Sequence, residues 1–259
     1  MRLKNLLFIL ILNGLFTNAI NLASYLLLGE QLLGDWRAVV LSGMIVFALQ
    51  ALLITRLVKP FRPQLFPTDI FKLQLFIKAL FTGLIIWVLT QVWIRYTTGS
   101  EITFPEQKRV TVYFLIFVFN SFPAAFLEEI LFRHLPFRYG ESKHFSPQQI
   151  TILAVAIGLI FSISHVSAYL VRDHIPFTEL SSPLIAAFFY GLAYFLVYAV
   201  TRNIYLITLI HAFSNNPLYL VDSPQRESFY FYTYIFVIIL WLILREMRKR
   251  ITWRNEHKS

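Results

Sequence analysis

The chain has 259 residues, of which 57% are hydrophobic and 14% charged, and its formal net charge is +9. A soluble domain of this length could not cover so much apolar surface, so we expect the bilayer to be its main solvent. The basic residues lie between apolar runs and at the C-terminus, a pattern that fits a membrane surface better than nucleic acid. The absence of cysteine excludes disulfides, thiolate nucleophiles and cysteine-ligated metals.

Eight apolar runs predict an all-α, polytopic membrane helix bundle with about eight transmembrane helices, forming a single membrane domain over residues 1–259. Each run is long enough, or nearly so, to cross roughly 30 Å of hydrocarbon as a helix. The first begins like a signal peptide, but the seven runs behind it favour a retained helix. The seventh is short and polar in its second half. In chain order the runs are 5–28, 37–58, 70–94, 110–133, 149–170, 183–201, 204–221 and 228–245.

Lysine and arginine are distributed unevenly between the two sides of this bundle. Most of them lie at the two ends of the chain and in the connections that follow the second, fourth and sixth runs. Because basic loops stay on the inner side of a membrane, we expect both termini to be cytoplasmic. The stretch 59–71, with its three prolines, would then be a cytoplasmic connection. These features predict a multi-pass protein of the bacterial cytoplasmic membrane.

Polar groups inside the apolar runs are costly and are usually functional, and one such group is the Glu128–Glu129 pair. Adjacent helix residues project about 100° apart, so the two acids do not serve one spot equally. Arg133 follows Glu129 at the favourable spacing for an ion pair, which leaves Glu128 to face the bundle interior. Pro123 would bend the helix and open room there. The alternative is that both acids are anchors at the cytoplasmic end of the helix.

Two intramembrane histidines are the other candidates. His211 and Asn215 share a helix face, and Pro217 interrupts the helix just beyond them. Irregular backbone at membrane depth normally lines a cavity. His165 shares its face with Phe161, which could pack over it, although either histidine could instead bond to a neighbouring helix. A carboxylate with two histidines and a carboxamide can activate a water and stabilise an oxyanion, and a proton-coupled transporter could use the same groups.

Three short segments resemble the motifs of the CPBP intramembrane proteases, also called the Abi family, which includes the CAAX prenyl endopeptidases. EEILFR (128–133) is similar to the Glu-Glu-x-x-x-Arg motif, FSISH (161–165) to Phe-x-x-x-His, and HAFSN (211–215) to His-x-x-x-Asn/Asp. Their order and spacing agree over a catalytic motif region of residues 110–220. The resemblance implies an intramembrane endopeptidase that acts on a peptide or membrane-protein substrate in the bilayer, with prenylated CAAX-type substrates as one option.

The resemblance also implies a role for each motif residue. Glu128 would be the general base that activates water, and His165 would help to hold that water. His211 and Asn215 would stabilise the oxyanion formed on the scissile carbonyl. The supporting residues, which would orient or cover the site, are Glu129, Arg133 and Phe161.

The cofactor requirement is open at this point. The family is commonly labelled metalloprotease, and zinc would take His165 and His211 as ligands if a metal is used. We favour metal-independent chemistry, because a glutamate and histidine site can run without a metal. Two hypotheses from other functional classes compete with the protease. One is a non-enzymatic bacteriocin-immunity or scaffold membrane protein, and the other is a proton-coupled transporter.

Overall fold

The computed structural model describes residues 1–29, 35–61, 72–102, 106–218, 220, 221, 236 and 239. Within these residues the regular structure is helical, and an isolated antiparallel bridge joins Ile102 to Val221. Six of the helices are long and apolar enough to cross a membrane, which confirms the all-α membrane bundle. The helices are α1 (Leu3–Leu28), α2 (Trp36–Val58), α3 (Leu73–Thr98), α4 (segments Gln107–Ile116, Phe122–Glu129 and Leu135–Ser142), α5 (Pro147–Ile163), α6 (Ser181–Thr201) and α7 (Ile204–Asn215).

The predicted number of eight spans is not established by the described residues, which hold six such helices and the shorter α7. The eighth predicted run, 228–245, lies mostly outside the described residues, as does most of the 59–71 connection. The helix predicted at 204–221 stops at Asn215, two residues before Pro217 removes a backbone donor. The helix predicted at 110–133 instead continues to Ser142.

Two prolines lie within α4, and a π turn precedes each of them. Proline lacks an N–H group, and its ring clashes with the carbonyl four residues earlier in a regular helix. The turns Phe117–Ser121 and Ile130–His134 come just before Pro123 and Pro136, and each is closed by a bond that spans five residues. The predicted distortion at Pro123 therefore takes the form of a π turn. The second π turn carries Arg133 immediately after the glutamate pair.

A tight turn joins α6 to α7 and sets the depth of two side chains. Arg202 takes a left-handed conformation (φ 55°) that ends α6, and the side chain of Asn203 caps the first amides of α7. Tyr194 lies seven residues before the end of α6, and His211 lies seven residues after the start of α7. Since a helix rises about 1.5 Å per residue, the hairpin places these two side chains at the same level.

Contacts between helix ends show which connections share a side of the bundle. At one end, an ion pair joins the end of α4 to the turn after α6, and a side-chain hydrogen bond joins the start of α3 to the residue before α7. At the other end, a ring contact joins the end of α1 to the connection after α5, and the isolated bridge joins the residues after α3 to the segment after α7. The pairs are Glu141–Arg202 and Leu75–Asn203 at the first end, and Tyr25–His174 and Ile102–Val221 at the second.

Candidate active site

The first and third motif segments meet at His211, which is buried on α7. Its Nδ1 atom lies 2.7 Å from Oε1 of Glu129, and its Nε2 atom lies 3.7 Å from Oε2 of Glu128. The two adjacent glutamates thus flank one imidazole, and each faces a different ring nitrogen. Their unequal placement was predicted from helix geometry, but the hydrogen bond between Glu129 and His211 was not.

Glu129 is the enclosed member of the pair. Its side chain is 0% exposed, and its Oε1 atom also lies 3.3 Å from Nη1 of Arg133, so the predicted ion pair is confirmed. A carboxylate beside a guanidinium only accepts hydrogen bonds, and Nδ1 of His211 therefore donates to it. This bond fixes the orientation of the imidazole and directs its Nε2 atom towards Glu128.

Glu128 is the accessible member of the pair, with a side chain that is 21% exposed. Its Oε2 atom is buried and has no hydrogen-bond partner in the part of the chain that the structure describes. The 3.7 Å separation from Nε2 of His211 is too long for a direct hydrogen bond, and a bridging water commonly completes a contact of this length. Glu128 is therefore the glutamate that is placed to bind a water.

Arg133 is a fully buried cation that aromatic rings enclose. Its Cζ atom lies 4.1 Å from the ring centroid of Phe161 and 5.3 Å from that of Tyr194. Gly191 makes this approach possible, because a Cβ atom there would lie 3.1 Å from the Phe161 ring. Cation–π contacts of a desolvated guanidinium contribute about 2 kcal/mol or more, so the rings stabilise the charge beside Glu129.

Phe161 links the second motif to this centre. Its ring packs against His165 at 4.5 Å between centroids, as the shared helix face predicted, and its centroid lies 6.1 Å from that of His211. Nδ1 of His165 lies 2.8 Å from the carbonyl oxygen of Phe161 and so donates to it. All three motifs therefore converge on one site.

His165 does not lie within a continuous helix, in contrast to the prediction of one helix over 149–170. α5 ends at Ile163, and His165 belongs to the turn that follows it. The capping box at Ser146 and the apolar run fix the start of α5, but the run itself gives no signal for the break. A π turn at Ala168–Arg172 continues the chain beyond it.

Tyr194 is a residue of the site that the motifs do not include. Its ring lies 4.8 Å from the His211 ring between centroids, at an interplanar angle of 34°, and its hydroxyl shares a hydrogen bond with Ser214. It is buried on α6, which carries tyrosines at 190, 194 and 198. This four-residue spacing places the three on one helix face and was the available signal in the sequence.

The carboxamides at the end of α7 differ in environment. Asn215 is the last helical residue and is exposed, on the same helix face as His211. The adjacent Asn216 has a buried Nδ2 atom with no hydrogen-bond partner among the described residues, and its carbonyl accepts a 2.8 Å bond from the Tyr113 hydroxyl. The helix end thus offers two amide groups, and the predicted oxyanion residue is the exposed one.

The described residues contain no group of three or more His, Asp, Glu or Cys side chains that could hold a metal ion. The Nδ1 atoms of His165 and His211 are bonded to the Phe161 carbonyl and to Glu129. A catalytic zinc site needs three protein ligands beside its open position. The described residues do not form such a set of three, although the Nδ1 bonds to a carbonyl and a carboxylate leave Nε2 of each histidine as the atom that would bind a metal.

Comparison with known protein families identifies the segment that holds the motifs. Residues 110–216 match the family described as type II CAAX prenyl endopeptidase, Rce1-like. No curated protein and no solved structure matches the chain. The matched segment contains all three motifs and runs from α4 to the residue after α7, whereas α1, α2 and α3 lie outside it.

Proposed function

Residues 110–216 belong to the CPBP family of CAAX proteases, and we propose that the chain is an intramembrane endopeptidase that hydrolyses a peptide bond of a membrane-associated substrate. The observation that carries this proposal is the His211 imidazole, which is bonded to Glu129 through one nitrogen and faces Glu128 through the other. The arrangement supplies a base (Glu128), a carboxylate that orients the imidazole (Glu129) and a hydrogen-bonding imidazole (His211) in one buried site.

Glu128 is proposed as the general base. It is the more exposed glutamate, and its unpartnered Oε2 atom is available to a water that also contacts Nε2 of His211. The carboxylate would take a proton from this water while the water oxygen attacks the scissile carbonyl carbon. The same proton would then pass to the leaving amine as the carbon–nitrogen bond breaks, which returns Glu128 to its ionised form.

Glu129 and Arg133 are proposed to hold His211 in position. A carboxylate bonded to Nδ1 of a histidine fixes its tautomer and orientation and stabilises the imidazolium form, as in hydrolase triads. With a proton on Nε2, His211 would donate to the oxyanion that forms on the substrate carbonyl. His165, whose Nδ1 atom is bonded to the Phe161 carbonyl, has Nε2 left to accept a hydrogen bond from the attacking water.

The reaction as proposed assigns no step to a metal, because the described side chains do not form a set of three metal ligands. The oxyanion role of Asn215 is retained as a proposal on its position four residues after His211. Asn216 is the competing donor, since its Nδ2 atom is buried and unpartnered within the described residues.

A prenylated CAAX peptide is the first substrate to test, because the matched family is that of CAAX prenyl endopeptidases. Purified full-length protein in liposomes is given a farnesylated CAAX peptide and its unprenylated counterpart, and the products are identified by mass spectrometry. We expect wild type to cleave and a folded Glu128→Gln variant to be inactive. Equal cleavage by the two proteins would contradict the proposed mechanism.

The same pair of proteins extends the test to other substrates. Membrane proteins and peptides of cells that produce wild type are compared with those of cells that produce Glu128→Gln. Fragments that depend on Glu128 identify the substrate class. If neither the peptides nor the cells give Glu128-dependent products, the endopeptidase proposal fails.

A further inference from the structure

The break after α5 leaves a backbone amide that a regular helix would have bonded internally. In a continuous helix the N–H of Ser167 would donate to the carbonyl four residues earlier, at Ile163. The chain instead turns at residues 164–165, with the His165 amide bonded to the Ser162 carbonyl at 3.1 Å. A partly buried amide at membrane depth is costly without a partner, so the turn needs an acceptor from elsewhere.

Asn18 of α1 supplies that acceptor. Its Oδ1 atom accepts a 3.0 Å hydrogen bond from the amide of Ser167, and its Nδ2 atom donates a 2.8 Å bond to the carbonyl of Gly14. The second bond holds the side chain against its own helix, which fixes the direction of the first. Gly14 itself lies against the turn, because a Cβ atom there would be 3.5 Å from Cβ of Ser164.

The amide that Asn18 binds lies inside the short backbone loop that carries His165. The carbonyl of His165 accepts a 3.1 Å hydrogen bond from the amide of Tyr169, and this bond closes one turn of the chain. Ser167 is the middle residue of that turn, so its amide lies two residues after His165. Asn18 therefore acts as a cap, supplied by another helix, for the turn that follows His165. A shift of this turn would move the imidazole relative to Glu128 and His211.

We propose that Asn18 is a positioning residue for His165, and that α1 is therefore part of the catalytic unit although it lies outside the matched segment 110–216. The inference rests on the proposed endopeptidase function. Asn18 acts through the backbone at Ser167 and not through the substrate. Its loss is therefore expected to lower kcat and to leave KM nearly unchanged.

The test compares three full-length variants with wild type, on the substrate identified as above. Asn18→Ala removes the acceptor, and Asn18→Asp keeps it. Thr17→Val is the matched control, since the adjacent Thr17 hydroxyl accepts a 2.7 Å interhelical bond from Gln50 that does not involve the turn. We expect Asn18→Ala to lower kcat about 10- to 100-fold, as small displacements of catalytic groups do. Asn18→Asp should recover part of the loss, because it keeps the acceptor but not the bond to Gly14, and Thr17→Val should resemble wild type.

Hydrogen–deuterium exchange provides a readout that does not need activity. Asn18→Ala should speed exchange in residues 164–172 and leave α6 and α7 unchanged, whereas Thr17→Val should not affect that segment. Unchanged exchange in Asn18→Ala, or equal loss of kcat in Asn18→Ala and Thr17→Val, overturns the inference while Glu128-dependent cleavage still stands. A protein without Glu128-dependent cleavage overturns the proposed function instead, and the exchange data then decide alone whether Asn18 caps the turn.

Discussion

The Nδ1 atom of His211 lies 2.7 Å from Oε1 of Glu129, and this hydrogen bond joins the third motif to the first across 82 residues of sequence. Both side chains are buried, and the same carboxylate oxygen lies 3.3 Å from Arg133. Glu129 therefore has two functions in one position: it neutralises a buried cation, and it orients the imidazole. Its neighbour Glu128 remains available to a water.

Replacing Glu129 with glutamine should lower both stability and activity. The amide keeps an acceptor for His211 but removes the charge that compensates Arg133, and breaking a buried ion pair typically costs 3–5 kcal/mol, so we expect a loss of about that size. The free energy of unfolding in mild detergent and the kcat of the folded fraction are the measurements.

Glu141→Gln is the control for this substitution. Glu141 also lies on α4, but its ion pairs with Arg138 and Arg202 are only half-buried, and such exposed pairs contribute about 1 kcal/mol or less. Equal stability of the two variants would show that the buried pair at Glu129 is not structural.

The aromatic ring of Tyr194 should be needed for a normal kcat. Tyr194→Leu removes the aromatic face from His211 and Arg133, so we expect kcat per folded protein to fall by about tenfold or more. Tyr194→Phe loses only the bond to Ser214 and should be milder. Tyr198→Leu is the matched control, because Tyr198 is equally buried one turn further along α6 but its hydroxyl contacts His134. Similar losses of kcat in the two leucine variants would remove Tyr194 from the site.

The sequence predicted the composition of this site better than its geometry. The motifs identified Glu128, His165 and His211, and the i, i+4 rule identified the ion pair of Glu129 with Arg133, because these depend on local spacing. The spacing of helix faces does not predict the bond from Glu129 to His211, because an imidazole has two separate nitrogens that can face two side chains at once. Tertiary contacts such as this one leave no periodic trace in a sequence.

The helix boundaries show the same limit. Apolar runs located the helices, but the break before His165 falls inside a continuous apolar run, and its cap comes from Asn18 on α1. The fourth helix was predicted to end at residue 133, yet a π turn accommodates Pro136 and the helix continues to Ser142. Local propensity resolved neither case, because the break is capped by a distant segment and the π turn rearranges backbone bonds that an apolar run does not encode.

Either of the two carboxamides at the end of α7, Asn215 or Asn216, could donate to the oxyanion, and alanine substitutions distinguish them. We expect Asn215→Ala to lower kcat by roughly 100-fold, as for the loss of a single oxyanion donor. Asn216→Ala is measured beside it, since its Nδ2 atom is buried and unpartnered in the described structure. A normal rate in Asn215→Ala with a large loss in Asn216→Ala would transfer the role to Asn216. We expect the reverse.

Chelation tests the proposed metal-independent reaction. Protein dialysed against EDTA and 1,10-phenanthroline should keep its kcat, because the proposed base and oxyanion donors are side chains that need no ion. Metal content is measured in the same samples by mass spectrometry. Loss of cleavage on chelation, with recovery on adding zinc, would assign the catalytic water to a metal and would require His165 and His211 to rearrange as ligands.

The orientation of the bundle can be tested directly, because the chain contains no cysteine and single cysteines give no background. Lys143 follows α4 at the end of the bundle where Glu141 meets Arg202, and Glu101 follows α3 at the opposite end, beside the Ile102 bridge. Both residues are exposed. The cluster of basic residues at the first end favours the cytoplasmic side. A membrane-impermeant maleimide should therefore label Glu101→Cys in intact cells and label Lys143→Cys only after the membrane is opened. Labelling of both variants from outside would contradict the helix arrangement. The reverse pattern would place the end that carries most basic residues, and with it the N-terminus, on the outer side.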